Sequence, residues 1–198
     1  QAVKRIVRYL SGSKLEGSTI SPDKTLSMDC YSDSDFAGLY KVDPMEDLSS
    51  AKSRMGYIIK LGGCPLVAKS KLISSICLAT AEAEYYSLSH CLRALLPIQR
   101  TLKELAHNLC ISAALRATIR SRTFVDNSAA LLLAQNQRLT SRTRYYHSQS
   151  HHFWQAVNSD PPAVIPTACS THDMDADYLT KPMPRAGFKA NRKRVQGW

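Results

Sequence analysis

Residues 26–38 read LSMDCYSDSDFAG, and the segment Leu26 to Asp33 has the character of a strand that ends on an acid. Side chains alternate along a strand, so Asp33 and Asp35 point to one face. Three further short words repeat the theme: Ala81-Glu82-Ala83-Glu84-Tyr85, Phe124-Val125-Asp126-Asn127 and Ala176-Asp177-Tyr178-Leu179-Thr180-Lys181-Pro182. Each puts a carboxylate at the edge of an apolar run. For any one acid the plain alternative is a solvated surface charge or a partner for a helix dipole. Taken together, acids at element ends in a chain of net charge +10 point to a metal site acting on a polyanion. Hard divalent cations take carboxylate oxygens, and phosphate supplies further ligands.

The order of elements around these acids defines an α/β chain. Val3, Ile6, Val7 and Leu10 fall at helical spacing. Ser11, Gly12 and Ser13 end that helix, and residues 11–25 are turn-rich. The runs 55–61 (MGYIIKL) and 64–68 (CPLVA) flank Gly62-Gly63, a hairpin signal. The run 72–79 (LISSICLA) is expected as a third strand. Thr80 is the expected N-cap of a helix running to about Leu96. Pro97 is expected to kink or break it, with a second piece reaching about Ala106. Residues 118–125 form a strand ending at Asp126, 127–136 a short helix, 163–167 a fifth strand, and about 174–181 a last helix. On a helix Glu82 and Glu84 lie about 200° apart, so only one of them can face a given site.

Composition narrows the class of protein. At 198 residues with 44% hydrophobic content, the chain supports a real core. No apolar run approaches the roughly 18–20 residues that span a bilayer, so no membrane partner is expected. Gln1-Ala2-Val3 reads as a cut edge within a longer chain. The six cysteines form no C-x-x-C pair, which favours free thiols over a zinc site or a disulfide framework. The 26 Lys and Arg outnumber the 16 Asp and Glu, with clusters at Lys4, Arg5 and Arg8 and at Lys189, Arg192, Lys193 and Arg194. Such clusters suit phosphate contacts.

The words YSDSDFAG, AKSRMGYIIKLGG, TAEAEYYSLS, VDNSAALLLA, LTSRTR and ADYLTKPMP resemble, in order, the ribonuclease H region of copia-type LTR retrotransposon polyproteins. AVKRIVRYLSG resembles the end of the preceding reverse-transcriptase region. The resemblance implies a ribonuclease H-like fold: a mixed five-stranded sheet, its first three strands antiparallel, flanked by helices. It divides the chain into a helix and connector at 1–25, a ribonuclease H domain at 26–184 and a basic C-terminal tail at 185–198.

The implied activity is cleavage of the RNA strand of an RNA/DNA hybrid during reverse transcription. The alternative is an inactive nucleic-acid-binding or scaffold domain of the same fold. The implied site holds two Mg²⁺, with Mn²⁺ as an alternative, on Asp33, Glu84, Asp126 and Asp177. Glu84 is favoured over Glu82 because Ala83-Glu84-Tyr85 matches the family pattern. Two metals about 3.5–4 Å apart serve an in-line displacement. Asp33 is expected to bridge them, Glu84 and Asp126 to hold the leaving-group metal, and Asp177 the water-activating one. Candidate substrate contacts are Ser34, Asn127, Ser128, Lys69, Lys71 and Arg142. His151 and His172 are candidates for the histidine that assists product release in many ribonucleases H. The expected partners are the hybrid and the reverse-transcriptase region of the same polyprotein. The expected location is intracellular: cytoplasmic, within virus-like particles, or nuclear.

Overall fold

The Gly62-Gly63 pair is the simplest place to see sequence become structure. Both glycines have positive φ (+53° and +79°), as a tight turn between twisted antiparallel strands requires. In the computed structural model, which describes residues 2–40, 48–136 and 151–197, that turn joins β2 (Arg54–Leu61) to β3 (Cys64–Leu72). Strand β1 (Met28–Asp35) pairs antiparallel with β2, placing Asp33 opposite Gly56. On its other side β1 pairs in parallel with β4 (Ser121–Val125), and β4 in parallel with β5 (Ile165–Ala168). The sheet order is β3-β2-β1-β4-β5, the mixed five-stranded sheet expected from the sequence, with its first three strands antiparallel.

Helix α1 (Ala2–Gly12) precedes the sheet. Helix α2 (Thr80–Asn108) covers one face of it, burying Tyr85, Leu88, Leu92 and Leu95 against Met28, Cys30, Tyr57 and Ile59. Short α3 (Ala113–Arg116) leads into β4, α4 (Ser128–Gln135) follows it, and α5 (Trp154–Val157) precedes β5. The opposite face carries α6 (Asp177–Thr180) and α7 (Arg185–Gln196). Gly56 marks how closely α6 approaches. A methyl group there would lie 2.7 Å from Thr180 Cγ2 and 2.9 Å from Leu179 Cβ, so only glycine fits.

Several sequence expectations need correction. Residues 73–79 form no strand, because β3 itself runs on to Leu72. Their apolar side chains are used differently: Ile73 and Cys77 are buried with Met55 and Ala83 beside the start of α2. Thr80 is not the N-cap. Ala79 occupies that position without a side-chain cap, and Glu82 Oε2 instead accepts from Leu78 N at 2.6 Å. Pro97 does not break α2, which is continuous through it. Proline removes one backbone hydrogen bond, but Leu92 and Leu95 before it and Gln99 after it are buried. Gln99 Nε2 also donates to Ser121 Oγ and to Ala163 O, both at 2.8 Å, pinning the second half of the helix to the sheet. The expected helix at 174–181 is only the single turn α6, preceded by a 3-10 turn at Thr171–Asp173.

The basic residues beyond 184 form α7, with Arg192 and Val195 buried. Arg192 forms an ion pair with Glu16 and donates to Tyr9 Oη at 3.0 Å, and Tyr9 meets Phe188 edge-on. These contacts join α7 to α1 and its following turn. The six cysteines are all free; Cys30, Cys77 and Cys91 are buried.

Candidate metal centre

Strand β1 carries Asp33 to the end of the sheet where β4 also finishes, immediately before Asp126. Helix α2 starts at that same end and turns Glu84 inward. One carboxylate oxygen from each of Asp33, Glu84 and Asp126 lies within 4.8 Å of the others. Asp33 and Glu84 are each only 3% exposed. Glu82, the competing acid, is committed to the Leu78 amide and is not part of this group.

Each of the three carboxylates has one oxygen held by a neighbour. Thr180 Oγ1 donates to Asp33 Oδ2. The Ser34 amide donates to Glu84 Oε1 at 3.2 Å, and Thr171 Oγ1 donates to Asp126 Oδ2 at 3.1 Å. Glu84 Oε2 is buried with no hydrogen-bond partner. A buried carboxylate oxygen without a donor is costly unless something cationic completes it. Hard oxygen donors from three converging acids are the donor set that Mg²⁺ or Mn²⁺ takes.

The electrostatics carry the same message. Burial pushes the Asp33 carboxyl up to about 6, with Asp177 and Asp126 adding to the rise and Thr180 and Lys181 opposing it. Burial, then the charges of Asp33 and Asp126, push Glu84 up to about 9. Such a cluster disfavours its own ionised form in the absence of a cation.

Asp177 stands apart from the three. It is buried at the start of α6, and its Oδ1 meets Lys181 Nζ at 2.5 Å. Burial opposes the Lys181 charge, but Asp177, Asp33 and Asp126 together hold its pKa above the ordinary lysine value. Lys181 thus ties the fourth acid to the edge of the cluster.

Among the other sequence candidates, Asn127 is engaged as the N-cap of α4: its Oδ1 accepts from Ala129 N and Ala130 N at 3.0 and 3.1 Å. Ser128 opens that helix, and Ser34 is buried beside Glu84. Lys69 and Lys71 are exposed on β3. The His172 ring is exposed and faces Asp173, with Nδ1 3.4 Å from Oδ1. Arg142 and the side chain of His151 lie outside the described residues. Sequence reasoning passed over Thr180, Thr171 and Lys181. Two of these sit inside the quoted ADYLTKP word, but nothing in a linear pattern says that a threonine hydroxyl will turn toward an aspartate 147 positions away.

Thr180→Val keeps the shape and removes the hydrogen bond to Asp33. Groups that orient metal ligands are worth roughly 10–100-fold in metal affinity or activity. We expect a fall of that size in Mn²⁺ affinity by calorimetry, with a melting temperature lowered by a few degrees because the buried Asp33 Oδ2 loses its donor. An unchanged affinity would remove Thr180 from the site.

No protein-family model matches the chain. Comparison with solved structures defines its class: the fold is that of ribonuclease H. LC11-RNase H1, isolated from compost by a metagenomic approach, superposes with a TM-score of 0.51, covering 79% of this chain and 94% of that one at 16% identity. The sequence places it further. The chain is a homologue of the retrovirus-related Pol polyproteins of copia-type transposons. It is 33% identical over 189 residues (96% of this chain) to the Pol polyprotein from transposon RE1 of Arabidopsis thaliana. It is 31% identical over 194 residues (98% of this chain) to that from transposon RE2 of the same plant. The chain spans about 12% of the length of each of these two relatives.

Proposed function

We propose that the chain hydrolyses the RNA strand of RNA/DNA hybrids, as the ribonuclease H segment of a retrotransposon polyprotein. The observation that carries this reading is the convergence of Asp33, Glu84 and Asp126 within 4.8 Å, on a ribonuclease H fold. The same reading makes the reverse-transcriptase region of the polyprotein its natural neighbour and an intracellular particle its setting. Among the described residues no helix is long and apolar enough to cross a membrane.

Asp33, Glu84 and Asp126 are the residues that would hold a pair of Mg²⁺ ions, with Mn²⁺ as the alternative and Asp177 as the fourth acid. Bound there, such ions supply an activated water and stabilise the departing oxygen of an in-line phosphodiester hydrolysis. The chain's own contribution is positioning. Thr180, the Ser34 amide and Thr171 each fix one oxygen of a ligand carboxylate, which presets its rotamer before any ion arrives. Burial of Asp33 and Glu84 keeps water from competing for their oxygens. Lys181 balances charge at the edge of the cluster.

The test is a labelled RNA/DNA hybrid incubated with Mg²⁺ and with either the native chain or Asp33→Asn. Cleavage of the RNA strand by the native chain alone is the expected result. Hybrid binding without cleavage by either protein would instead establish the inactive binding domain of the same fold. Equal cleavage of duplex DNA would remove the specificity for hybrids.

A further inference from the structure

Beside the carboxylate cluster, on the sheet face that carries α6, lies a cavity of about 350 Å³. Its walls come from the segment after β1, the start of β2, the end of β3, and α6 with the residues that follow it. The sheet register explains its position. Asp33 and Gly56 are paired, and Gly56 pairs in turn with Ser70. One row further along, Asp35 pairs with Arg54, and Arg54 with Leu72. The cavity therefore runs across the strands from the cluster toward the β3 edge. Thr180 stands at the junction, bonding Asp33 while lining the cavity.

The lining chemistry is cationic and partly apolar. Lys52, Arg54 and Lys181 face one carboxylate, Asp35. Lys181 serves Asp177, and Asp35 sits tightly against Gly38. Arg54 and Lys52 form no ion pair among the described residues, and Arg54 Nη1 reaches Ser70 Oγ at 3.4 Å. Leu72 and Leu179 supply apolar wall. Two cations that form no ion pair among the described residues, a hydroxyl and an apolar wall match a sugar–phosphate unit: charge and hydroxyl for the phosphate, carbon for the sugar.

We infer that this cavity binds a backbone phosphate flanking the scissile one, with Arg54 and Lys52 as its main contacts. This rests on the function proposed above and extends it by a second, metal-independent point of attachment. A strand held at the cluster alone could pivot. Gripping the neighbouring phosphate fixes its direction across the sheet.

The probe is an RNA/DNA hybrid carrying one uncharged methylphosphonate, moved position by position along each strand. Its affinity is measured in Ca²⁺ for the native chain, Arg54→Ala and Lys52→Ala/Arg54→Ala. The native chain should lose about five- to tenfold in affinity when the neutral linkage falls at one position near the cleavage site. In the double variant that position-specific loss should vanish, and the slope of log affinity against log salt should fall by about 1–2. Arg54→Lys should restore much of the affinity, and near-native melting temperatures would show that the variants fold.

An identical penalty profile in native and variant proteins would overturn the inference. So would inorganic phosphate alone binding in an Arg54-dependent way while the hybrid shows no position-specific loss. Cleavage is scored separately. A native chain that shows the Arg54-dependent position but never cleaves would defeat the proposed catalysis and leave the phosphate site standing. One that cleaves without it does the reverse.

Discussion

Glu84→Gln should abolish hybrid cleavage and, without divalent ions, make the protein more stable at alkaline pH. The two effects share one cause. Glu84 ordinarily titrates near 4.5; burial, with Asp33 and Asp126 nearby, lifts it to about 9 in the folded protein. Below about pH 4.5 both folded and unfolded states carry the proton, and the group has no effect on stability. Between there and about 9 the unfolded chain has released the proton while the folded one keeps it. Stability therefore falls as pH rises through that window. At about 1.4 kcal/mol per pKa unit, the roughly 3.5 units between 4.5 and pH 8 cost the native chain on the order of 5 kcal/mol. For a domain of this size that is roughly 10–20 °C in melting temperature.

Glutamine has nothing to ionise and can still accept from the Ser34 amide. Its NH₂ can donate to the carboxylates that repelled the glutamate. The check is a set of melting curves from pH 5 to 9, in EDTA and in Mn²⁺. The native chain should lose stability with pH in EDTA and regain it in Mn²⁺, most strongly at high pH, because bound cations favour the ionised acids. Glu84→Gln should be flatter in pH and respond weakly to Mn²⁺. A native protein whose melting temperature in EDTA rises across this range would contradict the site electrostatics.

Asp175→Asn should be the most destabilising single change away from the cluster. Asp175 is 2% exposed and accepts from two cations at 2.5 Å: Lys60 Nζ from β2 and Arg194 Nε from α7. Arg194 also donates to His172 O at 2.7 Å. This triad, buried at Asp175 and Lys60 and open to solvent at Arg194, fastens the C-terminal helix to the sheet and to the segment leading into Asp177. Amidation leaves Lys60 buried without its counter-charge. Removing one partner of such a pair costs about 3–5 kcal/mol, a drop on the order of 10 °C in melting temperature here. Cleavage should weaken with it, since α6 follows directly in sequence. Lys60→Met/Asp175→Leu should recover much of the stability, because apolar replacements of a buried pair are often tolerated. A melting temperature for Asp175→Asn within 2 °C of native would show, by about the same conversion, that the triad is not worth what its burial implies.

The histidines show where linear reading stops. His172 stands five residues before Asp177, yet its ring is exposed and turned toward Asp173. Sequence distance did not predict which side chain of that segment would be used. Met174 and Ala176 are buried, and Asp175 between them is held by charge. Pro97 shows the opposite failure. Its local rule, that proline ends helices, was outweighed by burial of the apolar side chains and Gln99 on either side.

The sequence by itself determined the hairpin at Gly62-Gly63 and the placing of Asp33 and Asp126 at strand ends, which are periodic or local features that a residue's neighbours in the chain are enough to specify. The sheet arrangement and the preference for Glu84 over Glu82 came instead from the resemblance of several separated words to one family. The tertiary structure alone decided how the site is held. It turned Thr180 and Thr171 onto the acids and tied Asp177 to Lys181. It committed Glu82 to the Leu78 amide, and made the basic C-terminal residues into a packed helix clamped by Asp175. Each of these depends on which side chains meet after the chain closes on itself. That meeting is fixed by packing around Gly56 and by the need to pair buried charge, neither of which is written in any one stretch of sequence.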